Sequence, residues 1–182
     1  LLAAVRVAAW RPRSLRTPIR MVEGHSVHRV AARHRRHLVG KKFACTSPNG
    51  RFTEGAAAIN NKPFRAIEAV GKNLFAWFGS GGADDVCVHV HFGMAGNWAV
   101  FESDANGNVH EPATTATTRL RMEGGGVVSH LSAMTVKHGS RAELYEVKRS
   151  NLGEDPLRDD ADVCFRVPIF LFVADDLSHR WS

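Results

Sequence analysis

The sequence predicts an α+β fold: an N-terminal helix on an antiparallel β-sandwich, followed by a short helix. Three observations carry that expectation. After Glu23 and Gly24, the residues Val27, Val30, Ala31, His34 and Leu38 recur at the three-and-four spacing of one buried helical face. From Phe43 onward the pattern shortens to apolar runs divided by turn residues, the punctuation of antiparallel strands. Ser140, with Glu143 three positions on, forms the capping box of a second helix. A helix, a set of strands and a closing helix make an α+β domain.

Each element has its own local reason. Gly40 stops the first helix. Phe43-Ala44-Cys45-Thr46 runs into Ser47-Pro48-Asn49-Gly50, a strong turn signal. Phe64 to Val70 reads as a strand, Gly71-Lys72 breaks it, and Asn73 to Phe78 runs on. Gly79 to Asp85 is a loop. Val86 to Phe92 is the clearest strand, with Val86, Val88, Val90 and Phe92 on one face. Gly93-Met94-Ala95-Gly96 turns it, and Asn97 to Phe101 is expected to return as a hairpin. Ser103 to Thr115 is a polar loop. Thr117 to Met122 and Val127 to Leu131 flank the glycine run Gly124-Gly125-Gly126 as another hairpin. The second helix reaches about Asn151, and Gly153 ends it. No internal repeat is visible.

At 182 residues the chain holds one ordinary domain with a real core, plus tails. Its 44% apolar content suits a globular protein, and no apolar run approaches the roughly 20 residues of a membrane helix. Cys45, Cys87 and Cys164 are scattered, with no Cys-x-x-Cys pair or disulfide framework, so a reducing compartment is expected. The net charge of +6 is unevenly spread. Residues 1–20 carry five arginines and no acid, residues 21–60 carry +5, and residues 61–182 carry −4. A basic first helix on a mildly acidic body suits a protein that meets phosphate along one edge. A solvated helix face, with Arg29, Arg33, Arg36 and Lys41 pointing out, explains the same charge. Residues 1–20 read either as an organelle transit peptide or as sequence upstream of a start at Met21.

Six blocks carry a family resemblance. They are Met21-Val22-Glu23-Gly24-His25-Ser26-Val27-His28-Arg29, Ser47-Pro48-Asn49-Gly50-Arg51-Phe52, Ala56-Ala57-Ala58-Ile59-Asn60, Gly71-Lys72-Asn73-Leu74-Phe75, Val88-His89-Val90-His91-Phe92-Gly93-Met94-Ala95-Gly96, and Asn151-Leu152-Gly153-Glu154-Asp155-Pro156-Leu157. In this order and spacing the chain resembles the N-terminal domain of the Fpg/Nei family of DNA glycosylases, in its Nei or endonuclease VIII-like branch. The resemblance covers residues 21 to about 162.

The resemblance implies a base-excision-repair glycosylase with AP lyase activity on oxidised bases, acting on damaged double-stranded DNA as a monomer. Val22 then supplies the free terminal amine that attacks the sugar C1′. An α-amine, with an unperturbed pKa of about 8, is better suited to attack at neutral pH than a lysine at about 10. Most of the family has proline here; valine keeps a primary amine that still forms an imine. Glu23 matches the acid that shuttles protons to the opening sugar and the departing base. A helix N-terminus favours an acid there in any case. Lys72 matches the lysine on a strand turn that contacts phosphate and assists β-elimination; a solvated turn lysine is the plain reading. Met94 matches the loop residue that fills the gap left by a flipped-out base, where an apolar side chain replaces stacking without needing hydrogen bonds. A core-packed hairpin methionine is its alternative. Arg51 is assigned to DNA contact. The partner arginine expected near Ser132-Ala133-Met134 is missing, which puts filling of the opposite strand in doubt.

Beyond about Asp162 the resemblance stops. Residues 1–20 are thus expected to be an extra segment, 21–150 the catalytic domain, and 151–182 the start of a helix-two-turn-helix domain followed by an unmatched tail. That tail contains Ile169-Phe170-Leu171-Phe172-Val173, an aggregation hazard. The family's zinc finger is not matched, so neither metal nor cofactor is expected, and the chain alone is expected to be truncated and weak or inactive. Two rivals stand beside this reading. His89 and His91 share a strand face, and His25 and His28 lie a helical turn apart, spacings that suit a metal enzyme with Glu23 or Glu111 as carboxylate. The other rival is a catalytically silent DNA-binding fragment. The lesion and the compartment stay open, the latter between cytoplasm or nucleoid, nucleus and, with a transit peptide, mitochondrion.

Overall fold

Helix α1, Gly24–Leu38, buries Val27, Ala31, His34 and Leu38, the stripe that its spacing predicts, with Val30 half-buried against the same core. The computed structural model describes residues 24–82 and 84–152. Met21, Val22, Glu23 and the end of the second helix at Gly153 therefore lie outside the described residues, as do Cys164 and the Ile169–Val173 run. Gly40, at φ 85°, ends α1 and donates its N–H to the Phe64 carbonyl, tying the helix exit to the sheet.

Among the described residues, eight strands form two four-stranded antiparallel sheets. The first runs β1-β6-β7-β5, from β1 Ala44–Thr46, β5 Asn97–Glu102, β6 Thr118–Gly124 and β7 Val127–Ser132. The second runs β2-β3-β4-β8, from β2 Phe64–Val70, β3 Asn73–Phe78, β4 Val86–His91 and β8 Thr135–Gly139. Between them lies one core in which Phe64 is a hub: its ring meets Phe78 edge-on at 4.9 Å, and Phe43 and Trp98 each at 6.4 Å. Trp98 keeps its indole N–H satisfied by donating to the Ser129 hydroxyl. The predicted strands β2 and β3 and their Gly71-Lys72 turn stand at the predicted residues, as does the β6–β7 hairpin. In that hairpin Gly125 and Gly126 have φ 58° and 73°, both positive as a two-residue I′ turn requires.

One expectation fails. Asn97 to Phe101 does not return on β4 as a hairpin: β5 pairs with β7 in the first sheet. The free side of β4 is taken by β8, with His91 opposite Thr135 and Cys87 opposite Gly139. The Gly93–Gly96 loop instead folds back on Phe92, whose carbonyl accepts from Gly96 N–H at 3.1 Å. A Cβ on Gly96 would sit 2.4 Å from that oxygen, so only glycine allows this return, and the chain crosses to the other sheet.

Two elements were not anticipated, β8 and the short helix α2, Thr53–Ile59, which packs against β1 and β4. The predicted closing helix begins as a π-helical turn, Ala142–Glu146, and continues as α3, Val147–Asn151. Its capping box is present: Glu143 N–H donates to Ser140 Oγ at 3.2 Å, and Ser140 N–H to Glu143 Oε2 at 2.9 Å. Those bonds from Ser140 hold the Glu143 carboxyl below its ordinary pKa. The segment lays Tyr145 on the outer face of the second sheet, against Phe75 and Trp77. The outer face of the first sheet is held differently, by Glu111 of the polar loop bonded to both Arg121 and His130.

Candidate active site and nucleic-acid interface

The turn that carries Lys72 is a two-residue hairpin connection, with Val70 opposite Asn73. Gly71 sits at φ 56° while Lys72 does not adopt a positive φ, the arrangement of a II′ turn with glycine first. Lys72 is exposed. The head of α1 rests on this turn: a Cβ built on Gly24 would lie 3.6 Å from the Gly71 carbonyl oxygen. Val22 and Glu23 immediately precede Gly24 in the sequence.

Sheet register brings further residues to the same end. Asn73 lies opposite His91, and His91 opposite Thr135, so the β2–β3 turn, the loop after β4 and the β7–β8 loop share one margin. Met94 and Met134 project there, 74% and 61% exposed. Their loops adjoin, since a Cβ on Gly93 would stand 3.0 Å from Met134 Cβ. Arg119 donates to the Met134 carbonyl at 2.8 Å and pins that loop. Met94 is therefore not the core-packed hairpin methionine of the plain reading. Met134 was not singled out from sequence. Its only signal there was its place where an arginine was expected.

Arg51 is not brought to this margin. It is exposed in the loop before α2 and lines a separate groove of about 510 Å³ with Phe52, Glu54, Lys137, His138 and Leu144. Among the described residues, no other predicted site residue lines that groove.

The basic face of α1 is exposed as expected, Arg33 included, and two of its guanidinium groups also reach back to the sheets. Arg33 donates to the Val100 carbonyl at 3.3 Å, and Arg35 to the Ile67 carbonyl at 3.0 Å. Strands β5 and β2 are the edge strands of their sheets, so the helix bridges both. His37 adds a 2.8 Å contact to Glu102. Beneath them His34 is fully buried against Trp98, with ring centroids 4.7 Å apart, and burial pushes its pKa down to about 4.

The histidines do not gather as ligands. His89 contacts Asn73 at 2.9 Å and stacks on Phe75, while Glu111 is engaged with Arg121 and His130 on the other sheet. Among the described residues no three His, Cys, Asp or Glu side chains converge as a metal site. Cys45 and Cys87 sit on strands of different sheets, and burial pushes each thiol up to about 12, an environment that does not favour the thiolates a zinc needs. Among the described residues no helix is long and apolar enough to cross a membrane.

Solved structures establish the fold. A MutM in complex with carbocyclic 8-oxo-G containing DNA aligns with TM-score 0.59 at 19% identity, over 74% of this chain and 51% of that one. A Lactococcus lactis Fpg (MutM) complex with Fapy-dG containing DNA aligns with TM-score 0.56 at 20% identity, over 71% of this chain and 49% of that one. The family model of the formamidopyrimidine-DNA glycosylase N-terminal domain matches residues 21–137, and the chain belongs to that family. Among curated relatives, the proteins called endonuclease 8 1 of Mycobacterium tuberculosis and Mycobacterium bovis are each 36% identical over 143 residues. The match covers 78% of this chain and 51% of each relative, so the chain spans about half the length of the curated relatives it matches.

Proposed function

We propose that this chain is the N-terminal, nucleophile-bearing part of a base-excision-repair glycosylase that removes oxidised bases from duplex DNA and cleaves the strand at the abasic site. One observation carries the reading. The head of α1, at Gly24, packs on the Gly71 carbonyl of the turn that carries Lys72, and Gly24 follows Val22 by two residues in the sequence.

In this scheme the deprotonated Val22 amine attacks C1′ of the damaged nucleoside, and the bond from C1′ to the base breaks. The base leaves carrying a proton, and Glu23 protonates the ring oxygen as the sugar opens to an imine. The iminium acidifies C2′; loss of a C2′ proton then expels the 3′ phosphate. Lys72 sets a positive charge beside the phosphate as it departs. Met94 enters the stack where the base has left, with Met134 alongside. The two thioethers supply contact area without demanding hydrogen bonds. Arg51 contributes a peripheral phosphate contact from its own groove. None of these steps uses a metal or cofactor. About half the relatives' length is matched here, so DNA affinity and turnover by this polypeptide alone are proposed to be low.

Borohydride trapping on abasic duplex DNA tests the scheme. The chain made to begin at Val22 should give a covalent adduct, and the chain retaining residues 1–20 should give none, because its Val22 nitrogen is an amide. Strong trapping with residues 1–20 attached would refute the assignment of the nucleophile. Salt-dependent binding without any adduct would instead favour the silent DNA-binding fragment.

A further inference from the structure

Asn73 and His89 are nearly buried polar side chains, 8% and 5% exposed, on the outer face of the second sheet beside an aromatic cluster. Burying such groups costs stability unless each finds a partner. They find each other, with His89 Nε2 2.9 Å from Asn73 Oδ1. The other end of the Asn73 amide donates from Nδ2 to the Val70 carbonyl at 3.4 Å, across the base of the turn that holds Gly71 and Lys72. The Val70 oxygen can only accept, so Nδ2 faces it and Oδ1 faces the imidazole. His89 therefore donates through Nε2–H. Its ring is stacked on Phe75 at 4.9 Å with planes 21° apart, which limits its rotation. Burial, followed by the nearby charges of Lys148, His91 and Lys137, lowers its pKa to about 4, so the ring is neutral at physiological pH.

We infer that His89 and Asn73 are positioning residues for Lys72: they form a buried strut, running from β4 through the Asn73 amide to Val70, that fixes the hairpin turn carrying the lysine. The inference rests on the proposed role of Lys72. Neither residue touches DNA in it. Gly71 supplies the positive φ of the turn, the head of α1 lies on one side of it, and the strut holds its base from the other.

The test uses three variants. His89→Phe keeps a ring over Phe75 and removes the donor, Asn73→Ala removes the relay, and His89→Gln retains a donating amide. In the full chain, amide exchange at Gly71 and Lys72 should speed about tenfold in the first two variants, roughly the worth of one buried hydrogen bond, and return toward normal in His89→Gln. The Ala76 and Val88 amides in mid-strand should not change. On abasic duplex, with the chain beginning at Val22, strand cleavage should fall about tenfold relative to the borohydride adduct in the same two variants.

Unchanged exchange in His89→Phe and Asn73→Ala would overturn the strut. Equal acceleration throughout β3 and β4 would overturn it as well, by reducing the pair to general packing. Faster turn exchange with an unaltered ratio of cleavage to adduct would overturn the positioning role. If Lys72→Ala itself leaves that ratio unaltered, or no adduct forms at all, the reading beneath the inference fails and takes the inference with it.

Discussion

The two open sides of the sandwich are closed in opposite ways. Along β2 and β5 lies α1, fifteen residues long, with a buried stripe below and Arg33 and Arg35 bonded to a carbonyl on each edge strand. On the other side, against β1 and β4, the described residues place the seven-residue α2, and beside it a groove lined by Arg51, Lys137 and His138. The first side is sealed and holds the α1 head against the Lys72 turn; the second is accessible and holds no other predicted site residue. A reacting group must be held within a fraction of an ångström, whereas a phosphate contact tolerates slack. Under the proposed function, the difference assigns chemistry and mere attraction to different sides of one scaffold.

The comparison can be broken most severely at its hub. Phe64→Ala removes the ring that joins Phe43, Phe78 and Trp98, and urea denaturation should show a loss of about 3–5 kcal/mol. Acid should act next, and on the sealed side. The pKa of His34 is lowered from 6.5 to about 4, so below about pH 6.5 the unfolded chain binds the proton more readily. Its contribution is complete above about 6.5 and is lost as pH falls toward about 4, on the order of 3 kcal/mol at full titration. His34→Gln should flatten that slope in unfolding measured across the same range.

Smaller effects sharpen the contrast. Met94→Ala should weaken binding to duplex with an abasic gap by about 1 kcal/mol, read by titration, while leaving the unfolding midpoint in place. Arg35→Ala should cost about 1 kcal/mol of stability, since an edge carbonyl loses a charged donor; an unchanged midpoint would show that solvent replaces it. Arg51→Ala should be mildest. It should leave adduct yield and stability alone and lower the salt dependence of DNA binding by about one ion.

What the sequence disclosed follows from what a short pattern can encode. Helix α1 was legible because four turns repeat the same stripe, and β2 and β3 because Gly71-Lys72 can only be a turn between two apolar runs. A strand's alternation marks its faces and not its neighbour, so nothing in Asn97 to Glu102 told that its partner is β7. Helix α2 is under two full turns, with three alanines among its seven residues, and β8 buries only Val136, too little for either period to register. At the site, Lys72 and Met94 were visible through their motifs. The approach of Met134 to Gly93 and the bond from Arg33 to an edge carbonyl depend on register, which sequence spacing does not report.

The arginine-mediated seat of α1 also governs how this protein fails. Bare strand margins recruit other strands, and here a single helix shields two of them at once. A nick within α1, or a substitution that lifts it, uncovers both margins together. The damaged molecule is then driven toward self-association, and the proposed nucleophile is withdrawn from solution in the same event.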